Sequence, residues 1–410
     1  MNPTKLFSVI SKHAENKLYK IPNKIFKNKS ELKNILIYPE FHEEKQLAEF
    51  LNKLAWYLPN YGEYKIEIIA KGFDVKNTLY KIPDHQYKFL DEELLSHLKI
   101  RDSKENISSL TTDLILVWDK KEMKKLPFKL VAISKIVDPN FYSHTESSNF
   151  RELFFETLNK EQTTDLQSLY KRNFTNLLKE NNKNRVTVFA TGPSIDKAFN
   201  MDFENSFNII CNSIVKNDRL LEQIKPRIIT FGDPVYHFSS NKYSTIFRNH
   251  VLKTVEKYNS YVVVPETAAP LLLRHYPELE NYIIGVPKGN GINFPTMDKF
   301  YVNYSSNILT LFMLPFAASI SDRIDIIGVD GREKKEKNFW KHSSSVQFDE
   351  LTGTIEQAHP SFFRDRLYTE YYKRHVKYLG DIINFGEEKG KSFKTLTKSN
   401  ISLLNNRREK

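Results

Sequence analysis

The chain has one cysteine, Cys211, in 410 residues. That excludes an intramolecular disulfide and argues against a cysteine-based zinc site. Cys211 ends an apolar run and reads as a small buried hydrophobe. The opening stretch, M-N-P-T-K-L-F-S-V-I-S-K-H, has no continuous apolar core, so no secretory signal is expected. The longest apolar run, 308–320, is too short to span a bilayer and reads as a buried helix. There is no internal repeat, no low-complexity tract beyond the charged ends and no D-x-D metal motif in a suitable loop. Together these absences lead to the expectation of a reducing, cytoplasmic setting and no bound metal.

What is present describes a packed protein with an anionic partner. Hydrophobic residues make up 40% and aromatics 13%, which argues against disorder. The net charge of +11 is concentrated at the ends. Lys5, Lys12, Lys17, Lys20, Lys24, Lys27 and Lys29 open the chain, and Lys389, Lys391, Lys394, Lys398, Arg407, Arg408 and Lys410 close it. Nucleic acid, anionic lipid and an acidic polymer would all suit this charge, and so would a solvated lysine surface in an Asn-, Ile- and Lys-rich composition. Because the charge does not follow an aromatic-lined face and no nucleic-acid motif is present, nucleic acid is not expected as a partner.

The length suits two domains. After a basic leader, 1–30, strand-like runs at 34–38, 64–70, 113–118 and 129–134 alternate with a helix-like 44–58, predicting an N-terminal α/β domain over 31–150. Apolar residues at Leu166, Leu169, Tyr170, Phe174, Leu177 and Leu178 predict an amphipathic helix over 164–181, within linking helices at 151–184. From 185 to 404, strands are expected at 186–190, 207–211, 227–231, 261–264, 282–285 and 323–328. Consecutive Val and Ile within them predict a largely parallel sheet with helices on both faces, a Rossmann-like α/β domain, followed by a basic tail at 405–410.

Ligands of parallel sheets bind at the carboxyl ends of the strands. Those ends carry Thr191-Gly192-Pro193-Ser194, then Asn212, then Asp233, then Gly328 and Asp330 with Arg332 nearby. Gly192 and Pro193 suit a tight turn, and Ser194 suits a helix cap, leaving N–H groups open to a phosphate or sugar. Each segment taken alone reads equally as an ordinary turn. Two histidines follow. His342 lies in a loop with Lys341, and His359 precedes a helix expected over 362–379. Histidine can take a proton from a hydroxyl nucleophile, though one just before a helix also serves as a cap.

The order of these segments, G-P-S after one strand, C-N-S after the next, D-P after the third, then S-S-N, G-V-D, H-S-S-S and H-P-S, resembles the bacterial lipooligosaccharide sialyltransferases. The wider group includes the G-P-S domains of flagellin nonulosonate-transfer proteins. The resemblance covers roughly 185–404. It implies a two-lobed glycosyltransferase of GT-A-variant or GT-B-like form, inverting and metal-independent, with a CMP-sugar donor and a histidine general base. By that resemblance Thr191, Gly192, Pro193 and Ser194 line the nucleotide pocket, and Asn212 and Asp233 hold cytidine or the donor sugar. Ser306 and Asn307 face the donor carboxylate or ribose, Gly328 and Asp330 approach the ribose and base, and His359 deprotonates the acceptor. Where the family has tyrosines beside the leaving group, this chain has Arg332, Lys341 and His342. Asp233 replaces an asparagine and Ala190 a glycine, which leaves sialic acid and Kdo both open as donor. The expected partners are a nucleotide sugar and an oligosaccharide or lipid-linked glycan acceptor at the inner leaflet. A metal-dependent diphosphokinase of the G-P-S group and a non-catalytic nucleotide- or glycan-binding protein are the alternatives.

Overall fold

The computed structural model describes residues 8–9, 11–12, 14–15, 32–58, 61–101, 112–333 and 341–408. The leader lysines other than Lys12, the Phe339-Trp340 part of the histidine loop, and Lys410 lie outside these residues. The chain divides into two compact units. The first comprises 1–159 together with two later segments, 233–245 and 351–366. The second comprises 160–232, 246–350 and 367–410.

The first unit holds five strands: β1 (Asn34–Phe41), β2 (Lys65–Ala70), β3 (Leu98–Arg101), β4 (Leu114–Val117) and β5 (Ser134–Ile136). All pair in parallel in the order β3-β2-β1-β4-β5. β4 (L-I-L-V) is buried on both faces, the pattern that parallel pairing demands. The helix Glu44–Tyr57 packs against the helix Thr145–Thr157, with Tyr57 stacked on Phe150 at 5.0 Å. The two later segments are tied in by backbone acceptors. Trp56 Nε1 donates to the Phe238 carbonyl at 2.7 Å, and Ser361 N donates to the Pro139 carbonyl at 3.1 Å.

The second unit holds β6 (Val186–Phe189), β7 (Phe207–Cys211), β8 (Ile228–Thr230), β9 (Tyr261–Pro265) and β10 (Ile283–Val286). A two-stranded ribbon follows, β11 (Lys288–Gly289) with β12 (Val302–Asn303), and then β13 (Arg323–Ile327) and β14 (Ser392–Thr395). The main sheet is parallel throughout, in the order β10-β9-β8-β7-β6-β13-β14. The amphipathic helix runs over Lys160–Glu180 and buries Tyr170, Asn173, Phe174 and Leu177. Gly285 makes that packing possible, since a Cβ there would stand 2.7 Å from the Tyr170 ring. Each unit is therefore a Rossmann-like parallel α/β sheet flanked by helices.

Four local expectations are corrected. The run 129–134 is a one-turn helix, Phe128–Val131, followed by the short β5. Pro127 starts that turn, its carbonyl accepting from Leu130 N and Val131 N. The helix expected over 362–379 is two helices, Pro360–Asp365 and Tyr368–Glu387, separated where Arg366 is extended. Ser194 does not cap a helix: the segment Pro193–Asn200 is a 3-10 helix capped at Gly192, with Ser194 inside it. The edge strand β14 was not anticipated, because S-F-K-T is short and half polar.

Strand order reverses between β6 and β13, and there two glycines allow the backbones to meet. Gly328 has φ +77° and its added Cβ would lie 2.1 Å from the Ala190 carbonyl oxygen. At Gly192 a Cβ would lie 2.2 Å from Asp330 Oδ2 and 2.5 Å from the Gly328 carbonyl. Gly328→Ala is therefore expected to lower stability by more than about 3 kcal/mol, combining left-handed strain with a backbone clash. Gly353→Ala, which meets nothing within 4 Å in a helix, should be neutral or stabilising by up to about 1 kcal/mol. Denaturant unfolding of the two variants checks this, and a Gly328→Ala midpoint equal to wild type would refute it.

Candidate functional site

In the second unit the turn after β6 is a closed hydrogen-bonded assembly. Gly192 N donates to the Gly328 carbonyl at 2.8 Å, and Ile195 N to the Gly192 carbonyl at 3.0 Å. Ser194 gives both its N–H (3.1 Å) and its hydroxyl (3.0 Å) to Asp330 Oδ2. The donors expected to lie open to a phosphate are thus engaged within the protein. A carboxylate already occupies the place where a helix start favours negative charge. Burial raises the Asp330 carboxyl above its ordinary value despite those bonds.

The downstream segments converge on the same turn. Ser194 Oγ lies 2.8 Å from Thr397 Oγ1, and Asn400 N donates to the Asp330 carbonyl at 2.7 Å. The histidine loop folds back as well. Thr191 Oγ1 is 2.7 Å from His342 Nδ1, and the Thr191 carbonyl accepts from Ser343 N. Ser343 and Ser345 hydroxyls both donate to Asp196. The structure therefore brings Thr191, Gly192, Pro193, Ser194, Gly328, Asp330 and His342 together.

Other expected donor contacts have different surroundings. Asn212 follows β7 in a left-handed conformation (φ +49°), with its Oδ1 buried and without a partner. Asparagine enters this region more easily than most residues, which suits it to the end of a strand. Asn307 Oδ1 accepts from Leu309 N at 2.9 Å, capping the π-helical turn Leu309–Met313, while Ser306 is exposed. Arg332 is held through Thr369 Oγ1 and the Tyr372 hydroxyl, and Lys341 is exposed.

Asp233 and His359 belong to the first unit. Asp233 Oδ1 accepts from Val235 N and Tyr236 N, and Oδ2 lies 3.4 Å from Arg366, so the carboxylate organises its own turn. That leaves little of it for cytidine. His237 Nδ1 accepts from Asp233 N at 3.0 Å.

His359 is buried and sits against the start of the helix Thr145–Thr157. Its Nδ1 lies 2.8 Å from Glu146 Oε2 and 3.1 Å from Ser147 Oγ, which itself donates to Glu146 at 2.9 Å. An ionised carboxylate can only accept, so Nδ1 carries the proton and Nε2 presents a lone pair. Nε2 is buried and has no hydrogen-bond partner among the described residues. Burial would raise the Glu146 carboxyl, but Lys53, 3.2 Å away, and then His359 outweigh it and hold it at about 2. Lys53 also lies 3.1 Å from Glu49, which lies 3.4 Å from His85 Nε2. Lys53 in turn is held above its ordinary value, its two carboxylates outweighing burial.

Glu146, Ser147 and Lys53 were not among the candidates read from the sequence. T-E-S-S-N reads as a solvated polar helix start, whereas Thr145, Glu146, Ser147, Ser148 and Asn149 are all buried. The histidine followed by proline is the one sequence signal that pointed here.

Lys53→Met should cost about 3–5 kcal/mol at pH 7, because the buried Glu146 and the partly exposed Glu49 lose their cation. Glu146 has a depressed value, so its contribution is complete above the ordinary carboxylate range, near pH 4.3, and is lost as pH falls through about 2. In the variant Glu146 takes up its proton at higher pH, so the deficit relative to wild type should shrink between pH 7 and pH 5. Unfolding midpoints at the two pH values decide it, and a deficit that is absent or grows on acidification would contradict the pairing. No family model matches the chain, and neither the curated proteins nor the solved structures searched contain a match to it.

Proposed function

We propose that the chain is a glycosyltransferase that moves a nonulosonic or ulosonic acid, of sialic acid or Kdo type, from a CMP-activated donor to a bacterial surface glycan. His359 is the general base. The observation that carries this reading is the Glu146–His359 pair, with Nδ1 occupied and Nε2 buried and unpartnered. A buried base without a partner is costly to keep and needs a ligand to explain it.

In this reading Nε2 accepts the acceptor hydroxyl's proton as that oxygen bonds to the anomeric carbon. The bond from that carbon to the phosphate oxygen breaks, CMP leaves with the electron pair, and the configuration inverts. Glu146 fixes the imidazole tautomer and stabilises the imidazolium that forms. The switch point between β6 and β13, with Thr191, Asn212 and the Gly192–Asp330 turn, is the kind of strand-end crevice that accepts a nucleotide. Because Asp330 fills the helix start, it must yield or share that position when a phosphate arrives. Leaving-group charge falls to hydrogen-bond donors and cations, Arg332 and Lys341 among them, rather than to a magnesium ion.

The basic ends are proposed to hold the protein against an anionic leaflet, where lipid-linked acceptors reside. Among the described residues no helix is long and apolar enough to cross a membrane. Sedimentation with vesicles containing anionic lipid, lost at high salt and absent with neutral vesicles, is the expected behaviour, and equal sedimentation with both would refute it.

The primary test is thermal stabilisation by CMP, CDP, UDP, GDP and ATP with and without magnesium. Selective stabilisation by CMP that survives EDTA is expected. Once turnover is measured, His359→Ala should abolish it and Glu146→Gln should lower kcat roughly 10²–10⁴-fold with KM little changed. Preference for ATP or a nucleoside diphosphate with magnesium would replace this reading with phosphate transfer or another sugar donor.

A further inference from the structure

We propose that Arg151 binds an oxyanion of the substrate, a phosphate or a carboxylate, beside the His359 base. The inference deepens the function proposed above and rests on it for the identity of the ligand.

Arg151 lies on the helix Thr145–Thr157 and is 7% exposed. Its Nε is buried and meets no acceptor among the described residues. The carboxylate near its fork is that of Glu152, its chain neighbour, at 3.8 Å, beyond hydrogen-bond distance. The Phe238 ring, 5.9 Å from Cζ, holds the guanidinium by its face but offers no acceptor. Other buried cations of the same unit are treated differently. Lys53 has Glu49 and Glu146 within 3.2 Å, and Lys135 has Glu156 at 2.8 Å. Burying a guanidinium N–H without an acceptor is unfavourable, and among the described residues none accepts from Nε, so an oxyanion supplied by a ligand would complete the site.

The place of Arg151 identifies that group's neighbourhood. Arg151 follows Ser147 by four residues, so the two share one helix face with Cβ atoms about 5–6 Å apart. Long helical side chains lean back toward the amino end, the end that carries Ser147. The Ser147 hydroxyl is 3.1 Å from His359 Nδ1. Two buried polar groups without partners, His359 Nε2 and Arg151 Nε, thus belong to one helix face and the histidine against it. A planar fork of N–H donors matches a phosphate or carboxylate edge. A CMP-ulosonate carries both, one on the nucleotide and one on the sugar.

The test measures binding without turnover. Inorganic phosphate, CMP and free N-acetylneuraminic acid are titrated into wild type, Arg151→Gln and Arg151→Met, with binding and melting temperature as readouts. Loss of about tenfold or more in affinity for phosphate and CMP alone assigns Arg151 to the phosphate, and loss for the sugar acid alone assigns it to the carboxylate. Without ligand, both variants should melt at or above wild type, because an uncompensated buried charge is removed. The proposal is overturned if no probe binds wild type at millimolar concentration, or if the variants bind every anion as wild type does. An Arg151-dependent response to phosphate with no preference for CMP would leave the oxyanion site standing and remove the CMP-transferase reading.

Discussion

The first unit depends on one ammonium group. Lys53 lies between Glu49 and Glu146, and through Glu146 it sets the state of His359. Counted with both imidazoles neutral, Glu49, Lys53 and Glu146 carry one net negative charge. A proton arriving on His359 brings the group to zero. In a buried setting charge imbalance is expensive, so the single cation of Lys53 matters to both carboxylates. Removing either Lys53 or Glu146 would change that count in opposite senses, so the two residues are not interchangeable supports of one structure.

The second unit uses close backbone approach in place of buried charge. Gly192 and Gly328 let the ends of β6 and β13 touch, and the carboxylate of Asp330 closes the gap onto Ser194. The strand ends are thereby closed onto the protein's own acceptor. The raised value of Asp330 means that its negative charge is weakly held there.

The sequence made the sheets legible because parallel strands buried on both faces read as unbroken Val and Ile runs. β7 (F-N-I-I-C) and β9 (Y-V-V-V-P) were found on that ground. β14 was missed because an edge strand of four residues alternates with lysine. The turn after β6 was legible from Gly192 and Pro193, but the fate of its N–H groups was not, since Asp330 lies far along the chain. His359 was visible as a titratable residue before Pro360. Its partners Glu146 and Lys53 were not, because a buried carboxylate and a solvated one are the same letter. Only the packing of the helix Thr145–Thr157 brings Glu146 to both His359 and Lys53.

Buried polar groups in this chain fall into two sets, and the division separates structure from chemistry. Asn173 satisfies two carbonyls at 2.8 Å each, and Asn52 receives Phe89 N and Leu90 N while donating to Tyr87. Such residues fix a fold and have nothing left to offer a ligand. His359 Nε2, Arg151 Nε and Asn212 Oδ1 are buried and have no partner. Each costs folding free energy that a well-packed apolar residue would not, and a fold able to pair Asn52 and Asn173 so fully has no structural need to leave them open. Among the described residues Arg185 Nε and Asn208 Oδ1 are in the same state, so an open polar atom marks a candidate only where, as at His359, a titratable group is also held by a second buried charge.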